Sequence, residues 1–336
     1  MSAYIIRRLL FMIPTLLGIT LICFALIQLV PGGPVEQYIS RISGMAAGES
    51  NGTRISPEEL KHIEAYYGFD KPAYQRYFEW LGNLLTLDFG HSYFYEEPVW
   101  DVIVERFPVS IFFGLTSFLL SYIICIPLGI LKAMRAGSTF DIVSSVLIFI
   151  GYVIPAYALG VLLIIFFCGG SYFDFFPMGQ IVSEDFEDLD GWLAKAGDFL
   201  HHMTLPMVCY MASEFAFLTI LMKNSLLEEI SKDYVKTALL KGSSKHKAIL
   251  VHALRNALIP IATRLSEIFT LIFAGALLIE KVFDIDGMGL LFFNSIVNHD
   301  YNVVMSLIFF TSALTLIGRL FSDLLYALID PRIRFK

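Results

Sequence analysis

Three charged residues sit in stretches otherwise apolar enough to cross a membrane. Glu214 lies midway along residues 204–222; Arg264 and Glu267 lie three apart, on one helical face, within residues 258–279. A charge in hydrocarbon is costly and normally faces a partner or water. The trio therefore either braces a helix bundle, with Arg264 paired to Glu267, or forms the polar lining of a pathway for zwitterionic cargo. Arg319 and Asp323, four apart near the end of the last apolar stretch, need only interfacial snorkelling. No constellation for bond-making chemistry accompanies them. GxxxxGK[ST], HExxH and GxSxG are all absent, and the adjacent His201 and His202 do not make a ligand set. The expectation is a chain with no catalytic residues, no cofactor and no metal, whose energy, if it uses any, comes from a partner.

The elements that must position these charges are membrane helices. Of the 336 residues, 56% are apolar and 30 are Phe, and the mean hydropathy is +0.67; a soluble chain of this length does not have that balance. Nucleic acid is excluded as a partner; lipid is implied. Cys23, Cys125, Cys168 and Cys209 are scattered singly through apolar segments and read as small packing residues. Runs of about 20 apolar residues suffice to cross the bilayer core. Six are found: Leu9 to Val30, Val109 to Leu131, Ile142 to Phe167 (with Gly151 and Pro155 as packing and kink positions), Thr204 to Met222, Leu258 to Ile279, and Val303 to Ile329. The first is too long for the core of a cleaved signal and is kept as an uncleaved helix.

Charge sorts the connections. Residues 31–107 carry twelve acidic against six basic residues, and residues 169–203 hold seven acidic residues against Lys195 alone. Both belong outside. Arg7 and Arg8, then Lys132 and Arg135, mark inner ends, so both termini come out cytoplasmic by the Lys/Arg asymmetry of short loops. In the outer segment, Ser56-Pro57-Glu58-Glu59 opens a helix that Gly68 closes. After Pro72 a second helix puts Tyr74, Tyr77, Phe78, Leu81, Leu84 and Leu85 on one apolar face, along the membrane interface or against the bundle. Ser40 to Arg54 is a loop. Three regions follow: residues 1–30, the N-terminus with the first span; 31–107, the external segment; and 108–336, the remaining spans with an inner loop at 223–256.

That inner loop, KNSLLEEISKDYVKTALLKGSSKHKAILVHALRN, carries seven basic residues (Lys223, Lys232, Lys236, Lys241, Lys245, Lys247, Arg255) against Glu228, Glu229 and Asp233. Leu226, Leu227, Ile230, Tyr234 and Ala238 recur at helical steps and predict one amphipathic helix. Gly242 ends it, Ser243-Ser244 cap the next, and that helix buries Leu250, Ala253, Leu254 and Ala257.

Asp233-Tyr234-Val235-Lys236-Thr237-Ala238 with Lys241-Gly242, followed by Arg255-Asn256-Ala257-Leu258-Ile259-Pro260, closely resembles the cytoplasmic coupling loop of binding-protein-dependent ABC importer permeases. The peptide branch commonly reads DYVRTARAKG and then RNALIP. The general pattern wants Glu at position 236 and Ala at 237; Lys236 and Thr237 depart from it in the manner of the peptide branch. GFDKPAYQRYFEWLGNLLTLDFGHS, VFDIDGMGLLFFNSIVNHDYNVV and the tail from Ser322 through Asp330-Pro331-Arg332 extend the resemblance over essentially the whole chain. PGGPV, GGSYFD and LTILMKNS look most like the microcin C-type oligopeptide permeases.

The resemblance implies an all-α, six-helix type I importer permease of the dipeptide/oligopeptide/nickel family in a bacterial inner membrane. Its implied partners are a homologous second permease, two cytoplasmic ATP-binding subunits, an extracytoplasmic substrate-binding protein and a peptide substrate. Asp233, Tyr234, Thr237, Ala238, Lys241 and Gly242 would meet the ATPase; Glu214, Arg264 and Glu267 would line the pathway. Dipeptide or nickel transport in the same family, an ion-gradient-driven secondary transporter, and a membrane scaffold are the alternatives. The last two leave, respectively, the coupling loop and the intramembrane charges unexplained.

The topology makes a direct prediction. With the four native cysteines replaced, Ser50→Cys should react with an impermeant maleimide on intact cells and Lys245→Cys only after permeabilisation. Labelling of both from outside would contradict the six-span arrangement.

Overall fold

The computed structural model describes residues 2–36, 39, 61–62, 65, 69–170, 172–266, 268, 272 and 275–329. Its helices in chain order are α1 (Ser2–Leu29), α2 (Ala73–Leu85), α3 (Val99–Met134), α4 (Thr139–Val153), α5 (Ala156–Phe167), α6 (Gly191–Ser231), α7 (Asp233–Leu240), α8 (Lys245–Lys247), α9 (Leu254–Ala257), α10 (Ile259–Thr263), α11 (Leu277–Val282), α12 (Met288–Val297) and α13 (Tyr301–Ile329). Among the described residues there is no strand, only two isolated bridges. The fold is all-α, as expected.

Three helices are long and apolar enough to cross a membrane (within α1, α3 and α13), or up to five spans if two bent helix pairs each count as one. The first pair is α4 and α5, which meet at 97°. Pro155 explains the bend: it cannot donate to a continuing helix and it forces Ile154 into an extended conformation (φ −79°, ψ 120°). The expected kink position is correct, but the third span is two short rods rather than one flexed helix. The second pair is α6 itself, bent by 48° between Ala212 and Glu214. α6 also begins at Gly191 rather than Thr204, and α3 at Val99 rather than Val109. Amphipathic turns extend both helices past their apolar cores. The fifth expected span, 258–279, is described only in part, as α10, a 3₁₀ turn Arg264–Ser266 and the start of α11. The helix expected after Ser56, the loop Ser40 to Arg54, and the tail motif at Asp330-Pro331-Arg332 lie outside the described residues.

Two compact units divide the chain: residues 2–108 with 291–314, and residues 109–290 with those from 315 onward. In the first, α2 packs on α1. Its apolar residues split between two faces, not one. Tyr77 and Leu84 are buried, whereas Tyr74, Phe78 and Leu85 are exposed. The inward face is fixed by a buried hydrogen bond of 3.0 Å between the Tyr77 and Thr20 hydroxyls and by Arg76 donating to Gln28 Oε1 at 2.6 Å. The outward residues form the stripe suited to a membrane interface. Phe89, Trp100 and Phe310 cluster in the same unit, with ring centroids 4.8 to 6.0 Å apart.

Asp300 anchors that unit. It is fully buried at the start of α13; it accepts from the Ser92 hydroxyl and from the Phe94 amide at 3.1 Å. Burial pushes its carboxyl above the usual carboxylate range, against the pull of those donors.

In the second unit, Phe113, Met203, Cys209, Tyr210, Phe283 and Ile285 belong to one core cluster, with Phe113 and Tyr210 stacked at 4.9 Å. Glu280 lies beside it. It is the first residue past the fifth expected span, at the start of a short outer loop by sequence; in the structure it is 1% exposed. Its Oε1 accepts from the Ala276 amide (2.9 Å) and the Tyr210 hydroxyl (3.0 Å), and its Oε2 from the Leu290 amide (2.7 Å). A Cβ on Gly275 or Gly287 would fall within 2.4 to 2.7 Å of the carboxylate, so only glycine lets the chain wrap it this closely. The carboxylate replaces water as acceptor for a turn that would otherwise bury bare amides. Cys125, Cys168 and Cys209 are buried within the core clusters, as packing residues should be.

Removing an acceptor from buried donors costs about 1–3 kcal/mol for each group left unpaired. Asp300→Ala should therefore lower the thermal unfolding midpoint of the detergent-purified protein and speed proteolysis between Leu87 and Pro98. An unchanged midpoint would show that the Ser92 and Phe94 contacts contribute nothing to stability.

Candidate functional site

Residues 223–256 fold into an elbow with a packed inner face. The single amphipathic helix expected over Leu226 to Ala238 is in fact broken. α6 ends at Ser231, Lys232 is extended (φ −75°, ψ 151°), and α7 starts at Asp233. Ser231 spends its hydroxyl on the Glu228 carbonyl at 2.7 Å, which terminates the first helix locally. The break changes which residue faces inward: Val235, at 1% exposure, is buried, and Tyr234 is exposed.

α7 closes in the way its glycine requires. Gly242 has φ +88°, the Gly242 amide donates to the Leu239 carbonyl (2.9 Å), and the Ser243 amide donates to the Ala238 carbonyl (3.1 Å). This is the paired bonding of a Schellman cap. Nothing lies within 4 Å of a Cβ built on Gly242, so the glycine serves the left-handed backbone rather than a tight contact. Ser244 then caps the next segment by accepting from the Lys247 amide.

That segment departs from ordinary helical register. Ala248–Ala253 is π-helical between α8 and α9. The wider turn rotates the inward face, so Ala248, Ile249, Ala253 and Ala257 are buried and Leu250 is exposed. The stripe expected from a 3.6-residue period is correct at Ala253 and Ala257 and wrong at Leu250. The buried residues join Val235 against Leu218, Met222 and Leu226 of α6 and Cys125 and Ala133 of α3 in one core cluster. Fully burying each large aliphatic side chain contributes about 1.5–3 kcal/mol. The exposed Lys236–Asp233 pair at 2.9 Å is screened and adds little by comparison.

The two stretches that carry the sequence resemblance also touch. Asn256 donates to the Tyr234 hydroxyl at 3.1 Å, and Tyr234 donates to Glu229 Oε2 at 2.5 Å, while Lys232 holds Glu229 Oε1 at 2.5 Å. Burial, with the bond to Glu229, pushes the Tyr234 phenol up and keeps it a donor. The relay fixes the two arms of the elbow across 22 residues of chain.

The remaining predicted contact residues divide by face. Asp233, Lys241 and Gly242 are exposed; Ala238 packs on the core; Thr237, though exposed, bonds back to the Asp233 carbonyl at 2.9 Å. Leu240, 89% exposed, is the apolar tip of the elbow beside Lys241. Sequence reading missed it, although its place just before the cap glycine on the face opposite Val235 was a usable signal.

Of the intramembrane charges, Arg264 reaches Glu214 at 3.6 Å and lies over the Phe217 ring at 4.2 Å. Both side chains remain partly open, at 27% and 36%. Glu267 lies outside the described residues. No group of three or more metal-ligating side chains occurs among the described residues.

Comparison with known proteins identifies the family. Residues 125–335 match the family "Binding-protein-dependent transport system inner membrane component", and residues 1–114 match its N-terminal companion. The chain is 43% identical, over its full length and 99% of the relative's, to "Peptidoglycan transport system permease protein YejB" of Agrobacterium fabrum. It is 42% identical to "Inner membrane ABC transporter permease protein YejB" of Escherichia coli O157:H7 and 32% identical to "Oligopeptide transport system permease protein AppB" of Bacillus subtilis, each over the full length of both chains. With the elbow, the apolar helices and these full-length matches together, the chain belongs to the family of inner membrane components of binding-protein-dependent transport systems.

Proposed function

We propose that the chain is the membrane-spanning subunit of an ATP-driven importer of oligopeptides or peptide-like compounds, and that it forms half of the translocation pathway. The observation that carries the reading is the elbow at Gly242. It presents Leu240 and Lys241 outward on a helix whose opposite face is locked into the α3–α6 core. Such a surface suits a groove on a cytoplasmic ATP-binding subunit, with Asp233, Tyr234, Thr237 and Ala238 setting the orientation of α7. Two such subunits, a homologous second permease and an extracytoplasmic binding protein complete the assembly. The relatives' names support the peptide-like cargo, and the sequence motifs favour the microcin C-type branch.

The same reading takes six crossings with both termini cytoplasmic, residues 1–30 as entry helix, 31–107 as external segment and 108–336 as the transport core. Glu214 and Arg264, partly open and paired, supply polar lining, together with Glu267. Closure of the ATP-binding subunits pushes α7 and switches the pathway from inward- to outward-facing, after which docked binding protein releases its cargo.

Gly242→Asp tests the elbow. An L-residue forced into this backbone costs about 1–3 kcal/mol of strain, and the carboxylate adds a desolvated charge at the contact. In the reconstituted complex it should abolish the ATP hydrolysis stimulated by loaded binding protein, while membrane insertion and binding-protein docking persist. Charge reversal at Lys241 should be milder, since a rim charge is partly screened. Wild-type stimulation in the Gly242→Asp complex would remove the main support for this reading.

A further inference from the structure

Lys132, at the inner end of the second expected span, is an unexceptional positive-inside residue by sequence. In the structure it is 0% exposed. Its ammonium donates to the Asp141 carbonyl (2.9 Å), the Ser144 hydroxyl (2.6 Å) and the Ser145 hydroxyl (2.8 Å), and sits 3.2 Å from Asp141 Oδ1. Asp141 is itself 5% exposed. It also accepts from the Gly137 amide at 3.1 Å and from the Lys223 ammonium, at 2.7 Å on Oδ1 and 2.8 Å on Oδ2.

The three groups differ in reach. Lys132 is satisfied by the first turns of α4, 9 to 13 residues away along the chain. Lys223 comes from α6, 82 residues on. Asp141 is thus the shared acceptor through which a helical hairpin holds α6. From Lys223, α6 runs unbroken to Ser231, where the extended Lys232 leads into α7. A displacement applied at the elbow reaches the hairpin through the shared apolar core and, by way of that stretch of helix, through this carboxylate. The hydrophobic contacts beside it, Met222 against Gly129 above all, resist separation but are non-directional. A bidentate charged pair fixes orientation as well.

We propose that Asp141 and Lys223 are positioning residues for coupling: the pair anchors α6 to the start of α4, so that motion of the elbow moves both as one body. This rests on the proposed ATP-driven function. Both side chains are largely buried, and neither is among the residues assigned above to the ATPase contact or the pathway lining.

Lys223→Met is the gentle cut, because it leaves Lys132 and Asp141 as a neutral, satisfied pair and removes only the bridge to α6. Two readouts on the complete complex in lipid nanodiscs distinguish the anchor from the function it serves. Amide exchange across residues 226–257 should rise in Lys223→Met and in Asp141→Asn, with residues 191–205 unchanged, and Lys223→Arg should match wild type. The ratio of stimulated to basal ATP hydrolysis should fall about tenfold in the first two variants, within the usual range of coupling between sites, with assembly intact.

Wild-type exchange in Lys223→Met would overturn the anchor. Loss of assembly and of basal hydrolysis in proportion, with the ratio unchanged, would reduce the pair to a structural brace and overturn the coupling role. If the wild-type complex shows no stimulated hydrolysis, the functional reading fails, and the exchange result alone decides whether the anchor exists.

Discussion

Burial of Val235, Ile249 and the alanines 248, 253 and 257 against Leu218, Met222 and Leu226 is the contact on which the elbow depends. Helices as short as α7, α8 and α9 do not persist alone in water, because nucleation is costly and few backbone bonds return the cost. Packed on α6 and α3 they become a stiff lever. The small side chains matter as much as the large ones. Three alanines admit close approach, and at Gly129 a Cβ would lie 2.6 Å from Met222. The elbow is therefore a packed element and not a loose basic loop at a membrane surface.

Buried polar groups fix what apolar packing leaves free. Glu280 gathers the amides of Ala276 and Leu290, Asp300 gathers Ser92 and Phe94, and Asp141 gathers two lysines and the Gly137 amide. Each satisfies groups that would otherwise be buried bare, and each joins segments distant in sequence. Such clusters are weak as net stabilisers beside apolar replacements, yet costly to break singly, so they specify one arrangement more than they strengthen it.

How much of this was legible in the sequence follows from the range of the forces. Gly242 as a helix stop, Ser244 as a cap, the helix after Pro72 and the bend at Pro155 are local backbone consequences, and all were readable. Leu250 was misplaced because the π-helical turn at Ala248–Ala253 has no signature in a 3.6-residue count, and Tyr234 was misplaced because the break at Ser231-Lys232 shifted the face that followed. The burial of Asp141 and Glu280 was invisible for a different reason. Whether a charged residue near a span end meets lipid headgroups or a partner depends on chain 70 to 82 residues away. Of the candidate pathway residues, Glu214 and Arg264 were found by their cost in hydrocarbon; their pairing across helices was not foreseen.

Under the proposed function, a cytoplasmic elbow couples this membrane chain to ATP. The most direct test is uptake of a labelled oligopeptide into proteoliposomes that contain the full complex, with loaded binding protein and the proton gradient collapsed by an ionophore. Accumulation should require ATP on the side of the elbow and be indifferent to the ionophore. Uptake that persists without ATP and disappears with the proton gradient would contradict it.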